Sequence, residues 1–167
     1  MNEIVHATEK DIPELMSMIH EIYDAIPIKE WFCLNGDEAV TGYMTTGGFA
    51  LKAMCDGKLA GVFIARTKDL GEENIGYDLK FDEKQRKQAA HMEIAMVREE
   101  YRGHGLQRQM MEEAERILKE QGFHYLLGTA HPDNAASVNS FLKLQYEQVM
   151  TKEKYGGMKR SIFCKKI

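Results

Sequence analysis

No stretch of the chain approaches the ~20 consecutive apolar residues that a bilayer-spanning helix needs, and Met1 to His6 lacks the basic region and apolar run of a secretory signal. Basic charge is not in excess. The 22 Lys and Arg against 26 Asp and Glu leave a net charge of −4, the wrong sign for a partner bound by neutralising its phosphates. The short basic runs at 84–87 and near the C-terminus read as solvated faces. Cysteine is scarce: Cys33, Cys55 and Cys164 are odd in number, far apart and without C-x-x-C spacing. That pattern suggests neither a disulfide framework nor a zinc site, and each thiol reads as packing in a reducing, cytoplasmic setting. No repeat, low-complexity tract or Pro/Ser-rich linker is present, so residues 1–167 read as a single domain with one sizeable core. Two phosphate-binding motifs are missing as well. A dinucleotide fingerprint needs a third glycine and an early strand, and a P-loop needs Gly-Lys-Ser/Thr.

Hydrophobic periodicity gives the element order. Ile4 to Ala7 is a short strand, and Asp11 and Pro13 open a helix whose Ile12, Leu15, Met16, Ile19, Ile22, Tyr23 and Ile26 recur at helical spacing until Pro27 stops it. Trp31 to Gly48 is ambiguous. Phe49 to Cys55 and Leu59 to Thr67 are strands about the tight turn Asp56-Gly57. Asp69 to Gln88 is polar and reads as a connection with little core. Ala89 to Val97 is apolar on both faces, as a central strand should be. Leu106 to Gln121 is a helix with Leu106, Met110, Met111, Ala114, Ile117 and Leu118 on one face, ended by Gly122. His124 to Ala130 is a strand, Asn134 to Lys143 a short helix, and residues 146–155 and 158–166 a hairpin about Gly156-Gly157. The order β-α-β-β-β-α-β-α-β-β predicts an α/β (α+β) fold. Its sheet is mixed and mainly antiparallel, with one central parallel pair joined by a right-handed crossover and helices on both faces.

Between the central strand and its helix lies Arg102-Gly103-His104-Gly105-Leu106-Gln107. Two glycines at a helix start let the backbone approach a ligand with unpaired N–H groups, where the helix dipole and Arg102 add positive charge. That combination suits a phosphate or pyrophosphate. The reading sharpens because Val97 to Gln107 resembles motif A of the Gcn5-related N-acetyltransferase (GNAT) superfamily, Arg/Gln-x-x-Gly-x-Gly/Ala. Val97, Tyr101, Arg102 and Gly105 match, while Gln107 departs from the usual small residue. Asn134 to Tyr146 resembles motif B, an Asn, a small helix and Leu-Tyr-x-Lys-x-Gly-Phe. The resemblance spans most of the chain and implies the GNAT fold and acetyl-CoA as cofactor, with no metal. By it, the backbone of Ala95, Met96 and Val97 pairs with the pantetheine arm, Arg102 to Gln107 cradle the pyrophosphate, and Asn134, Ser137, Phe141 and Lys143 complete the cofactor site. Asn134 also suits a plain helix cap. Phe141 stands where the family usually has a tyrosine that protonates the leaving thiolate, so water, Ser140 or Tyr146 would have to serve.

An amine attacks a thioester only when neutral, so a general base within reach is useful. Period-two alternation puts residues 91, 93, 95 and 97 on one face of the central strand, making His91 and Glu93 neighbours, with Met92, Ile94 and Met96 opposite. The resemblance points to the same two residues as base or water relay, and His131 can line the same cleft. The expected function is direct transfer of an acetyl group from acetyl-CoA to a primary amine of a small molecule or peptide, with backbone N–H groups near Val97 polarising the carbonyl. The alternative is a non-catalytic acyl-CoA-binding sensor or scaffold. Tyr23, Asp24, Glu30, Trp31 and Phe32 could receive a cationic amine and serve equally as packing. No nucleic acid or membrane partner is expected, and a homodimer is compatible with the resemblance.

Overall fold

Seven strands form one sheet in the spatial order β1-β2-β3-β4-β5-β7-β6. A computed structural model describes residues 1–167. In chain order the elements are β1 (Asn2–His6), α1 (Ile12–Ala25), α2 (Asp37–Met44), β2 (Gly48–Cys55), β3 (Lys58–Arg66), α3 (Glu83–Lys87), β4 (Ala89–Val97), α4 (Leu106–Glu120), β5 (Tyr125–Ala130), α5 (Ala135–Lys143), β6 (Glu147–Lys154) and β7 (Met158–Lys166). Neighbouring strands run antiparallel, except that β4 and β5 are parallel and joined through α4. The expected mixed sheet with one parallel pair is what forms. No helix is long and apolar enough to cross a membrane.

Alternation along β3 shows how the layers sit. Phe63 and Ala65 join a core cluster with Leu106, Met110, Met111, Ala114 and Leu118 of α4. Val62 and Ile64 join another with Leu15, Met18, Ile19 and Ile22 of α1. Successive strand residues face opposite sides, so α4 and α1 flank the sheet. The buried α1 residues stand three and four apart, and each contributes about 1.5–3 kcal/mol relative to exposure. Met18 joins that face at its centre, and Met16 packs half-buried at its edge. Ile26, held before Pro27, is extended and ends the helix. Asp11 does not cap α1 directly. Its carboxylate accepts from the Thr8 N–H at 2.8 Å and pairs with Lys52 at 2.8 Å.

Two regions depart from the sequence reading. The ambiguous residues 31–48 contain α2, which buries only Val40. Residues 69–88, expected to hold little core, hold a small one. Two 3-10 turns and α3 carry Ile75 into a cluster with Ala89, Leu127 and Ile162, with Leu79 and Phe81 packed against it. These apolar residues have no regular period, so nothing local announces them. Asn74 accepts from the Gly76 N–H and Asp82 from the Gln85 N–H, each at 2.8 Å, which holds the turns.

The same segment is clamped to β6. Lys152 and Lys154 donate to the two oxygens of Asp78 at 2.8 and 2.6 Å. Burial alone would raise the Asp78 carboxyl, but these bonds outweigh it and hold it below its ordinary value. Its stabilisation is therefore complete above the unfolded value near about 3.9 and is lost as pH falls through the lower folded one. Asp78→Asn is expected to cost about 2 kcal/mol at neutrality. It should also flatten the acid limb of the stability curve, and urea melts in acid and at neutrality check this. An unchanged acid limb would rule the clamp out.

The feature that positions the site is a bulge in β4. Ala65 pairs with Met92, and the next residue of β3 outward, Ile64, pairs with Ile94, so Glu93 is the extra residue. Ala90 and Met92 belong to the α4 cluster, whereas Ile94 and Met96 belong to the α1 cluster. Beyond the bulge the parity reverses, and Ala95 and Val97 turn to the α4 side. The expected single face of 91, 93, 95 and 97 is thus corrected. His91 and Glu93 share the α1 side with Ile94 and Met96, because one inserted residue breaks the period of two. The β4–β5 ladder also ends early, its last partners being His91 and Leu127. From there the two parallel strands part.

Candidate active site

On the α1 side, where β4 and β5 separate, is a cavity of about 200 Å³ whose lining includes Arg66, His91, Glu93, Thr129, Tyr155 and Arg160. Four strands contribute all of these groups but Tyr155, which lies in the turn between β6 and β7. Arg66 on β3 pairs in register with His91 on β4, and Thr129 on β5 with Ile162 on β7. Glu93 leans back from the bulge toward this row. Its Oε1 lies 3.7 Å from Arg66 and its Oε2 lies 3.5 Å from His91 Nδ1. Arg66 is held in turn by Glu73 at 2.6 Å and by the ring of Tyr43, 4.1 Å from its guanidinium carbon. Glu93 keeps a fifth of its side chain exposed, toward the cavity, while His91 is buried.

Hydrogen bonding limits what His91 can do. The Ile75 N–H donates to His91 Nε2 at 3.0 Å. A ring nitrogen that accepts carries no proton, so the neutral ring holds its proton on Nδ1, beside Glu93. Neither nitrogen is left to take a proton from a ligand. Two further groups border the cavity without being nucleophiles. Burial raises the Cys33 thiol, outweighing the pull of Arg160, so its reactive thiolate is scarce at neutral pH. Tyr155 is part-exposed at the cavity's edge, and burial pushes its hydroxyl up to about 12.

The loop at the end of β4 has the backbone of an anion site. Gly103 and Gly105 take φ of +84° and +76°, and Gly105 is the left-handed N-cap of α4. No side chain caps the helix and no acidic residue stands in its first turn, so the leading N–H groups are left for a ligand. Arg102 Nε donates to the Val97 carbonyl at 3.0 Å and ties the loop to the strand. His104 is exposed, Leu106 is buried and Gln107 is half-buried.

Further along, Asn134 caps α5 by accepting from the Ser137 N–H at 3.5 Å. Lys143 is exposed in the last turn of α5. Phe141 is buried, stacked on Phe163 at 4.6 Å and edge-on to Tyr146 at 5.0 Å. Its ring presses on Gly128 so closely that a Cβ there would fall 2.5 Å from Phe141 Cζ. The two suggested substitutes for its absent hydroxyl do not open to the cavity. Ser140 donates to the Ala136 carbonyl at 2.9 Å, and Tyr146 is buried on the α4 side.

Other sequence candidates scatter. Trp31 and Phe32 line the cavity. Tyr23 packs edge-on to Phe32 at 6.3 Å, and Asp24 is exposed elsewhere. His131 lies 3.8 Å from Glu30, stacks on Trp31 and accepts from the Asp133 N–H at 3.1 Å, beside the cavity but not in its lining. Sequence reasoning missed Arg66, Thr129, Tyr155 and Arg160. A signal existed for Arg66, which ends a strand that is otherwise mostly apolar, whereas Arg160 stands among other polar residues of β7 and nothing local marks it. No group of three or more His, Cys, Asp or Glu side chains is placed to hold a metal ion.

The model of the acetyltransferase (GNAT) family matches residues 14–146. The chain belongs to the GNAT acetyltransferase family. No curated protein sequence matches it. Solved structures of GNAT acetyltransferases share the fold over nearly the whole chain. An acetyltransferase of the GNAT family from Streptococcus pneumoniae is 16% identical with a TM-score of 0.77, each chain covered at 100%. The ribosomal-protein-S18-alanine N-acetyltransferase of Escherichia coli is 17% identical with a TM-score of 0.72, covering 100% of this chain and 94% of that one. A protein from Salmonella typhimurium, solved with its cofactor acetyl-CoA, is 13% identical with a TM-score of 0.74, covering 99% and 93%. At these identities the likeness is one of fold, and the family assignment makes acetyl transfer the general chemistry of this GNAT domain.

Proposed function

We propose that this GNAT domain transfers the acetyl group of acetyl-CoA to a primary amine held in the Arg66–Glu93 cavity, by direct attack. The observation that carries this reading is the bulge. It turns the Glu93 carboxylate into the cavity at the level where β4 leaves β5. The residues present fit the cofactor. The uncapped start of α4, with two glycines and no acidic side chain, suits the pyrophosphate, held by the N–H groups of Gly103 to Gln107 with Arg102 and the exposed His104 beside them. The unpaired edge of β4 at Ala95, Met96 and Val97 suits the amide groups of pantetheine. Asn134 at the start of α5, with Ser137 and Lys143 on it, would complete the cofactor site, and Phe141 supports β5 at the split. When bound, acetyl-CoA supplies the thioester carbonyl that the amine attacks.

The chain's own groups then have distinct tasks. Glu93 accepts the proton that the amine must lose, directly or through one water. His91 is a positioning residue, presenting Nδ1–H to Glu93 while the Ile75 N–H fixes its ring. Arg66, 3.7 Å from the Glu93 Oε1, holds that carboxylate in place. Tyr155 borders the same cavity, and its raised value keeps its hydroxyl protonated and able to donate. The raised Cys33 thiol argues against a covalent acyl-enzyme.

Release of free thiol from acetyl-CoA in the presence of an amine panel tests the activity, and calorimetry with coenzyme A and with ATP tests the loop. Equal affinity for the two nucleotides would defeat the pantetheine assignment. Replacing Gly105 by Ala puts a Cβ in a left-handed conformation that costs about 1–2 kcal/mol. We expect KM for acetyl-CoA to rise about tenfold with kcat little changed. An unchanged KM would remove the loop from the cofactor site.

A further inference from the structure

We propose that the acceptor is an amino carboxylate, its carboxylate held by Arg160 while its amine meets Glu93. This rests on the acetyltransferase reading and adds the substrate class. Arg160, on β7, has only 2% of its surface exposed yet lines the cavity. A guanidinium stays charged at any working pH, so it cannot escape burial by losing its proton. Buried cations are normally matched by an anion, because desolvation costs several kcal/mol per ion. Arg66, almost as buried, follows the rule with Glu73 and Glu93. Arg160 does not. It forms no ion pair. Its bonds go to the carbonyls of Lys159 and Glu30 at 2.7 and 2.8 Å and to Met158 Sδ at 3.5 Å. Those three bonds leave part of its five-donor fork unused.

The nearby acids are committed elsewhere. Glu73 and Glu93 both face Arg66, and Glu30 turns its carboxylate to His131 at 3.8 Å while lending Arg160 only its carbonyl. The cavity therefore has two ends of opposite character. Two carboxylates against one guanidinium leave an excess negative charge at the Glu93 end, and Arg160 leaves an unmatched positive charge at the other. Their complement is a small zwitterion. A cavity of about 200 Å³ admits a molecule of amino-acid size. The planar fork of Arg160 binds a carboxylate through two parallel bonds, which fixes direction as well as charge. Binding at that end would deliver the amine to Glu93.

The test uses matched pairs: amino acids against the amines that remain when the carboxylate is removed, with thiol release recorded for each. We expect kcat/KM for the carboxylated member to exceed that of its partner by about a hundredfold or more, as a buried polar group left unpaired demands. Arg160→Met should bring the ratio toward one, and Arg160→Lys should restore part of it. Because the ratio compares two substrates of one sample, it does not depend on how much of a variant folds. Calorimetry of the wild type with each member adds a readout that needs no turnover. Equal rates within the pairs would overturn the amino carboxylate and leave the acetyltransferase standing. If no amine releases thiol, the transferase reading falls. Heat from the carboxylated members alone would then still support the Arg160 site, and heat from neither would overturn it.

Discussion

Glu93→Gln is expected to lower kcat by about a hundredfold to ten-thousandfold, the usual worth of a positioned general base. At ~1.36 kcal/mol per tenfold this is about 3–5 kcal/mol of barrier. The change keeps the volume and an oxygen for Arg66 but removes the group that accepts a proton. Arg66 retains Glu73 at 2.6 Å, so the buried guanidinium is not stranded and the fold should hold. The loop that would hold the pyrophosphate is on the other side of the bulge, so acetyl-CoA affinity by calorimetry should be unchanged. A large loss of rate with constant affinity separates an enzyme from a sensor of the same fold. A variant as active as the wild type would remove Glu93 from the chemistry.

Phe141→Ala should cost about 3–5 kcal/mol of stability, as for other buried aromatics. The ring fills the space beneath Gly128, stacks on Phe163 and meets Tyr146 edge-on, so its removal opens a hole between α5 and the sheet. Because the backbone of β5 rests on this ring where β4 leaves it, activity should fall further than the folded fraction does. Thermal melts with acetyl-CoA titrations check both. A loss under about 1 kcal/mol would mean that the site collapses around the gap.

Much of the architecture was legible because it is written in local periods. Leu15, Ile19 and Ile22 at helical spacing, the alternation about Asp56-Gly57, and the glycines before Leu106 each report their own element. The loop was found for the same reason. The parity of β4 was not, since a bulge depends on which residue of β3 sits opposite, and Glu93 looks like any alternating position. The neighbourhood of Glu93 and Arg160 was hidden by topology. It requires β7 to lie between β5 and β6, an insertion made by pairing distant segments. His91 and Glu93 were visible as polar residues in an apolar strand, but their unequal roles follow from one N–H of Ile75, a residue read as part of a connection with little core.

The bulge also bears on how this family member can change. On either side of residue 93 the strand is out of phase with itself, like two gear trains meshed one tooth apart. Deleting one residue there shortens β4 by only about 3.3 Å. If that residue is Glu93, the pairing of Ala65 with Met92 and of Ile64 with Ile94 becomes regular, and Ile94 and Met96 still face α1 while Ala95 and Val97 still face α4. The carboxylate thus comes and goes with a single inserted residue, while the packing on both faces of the strand is kept.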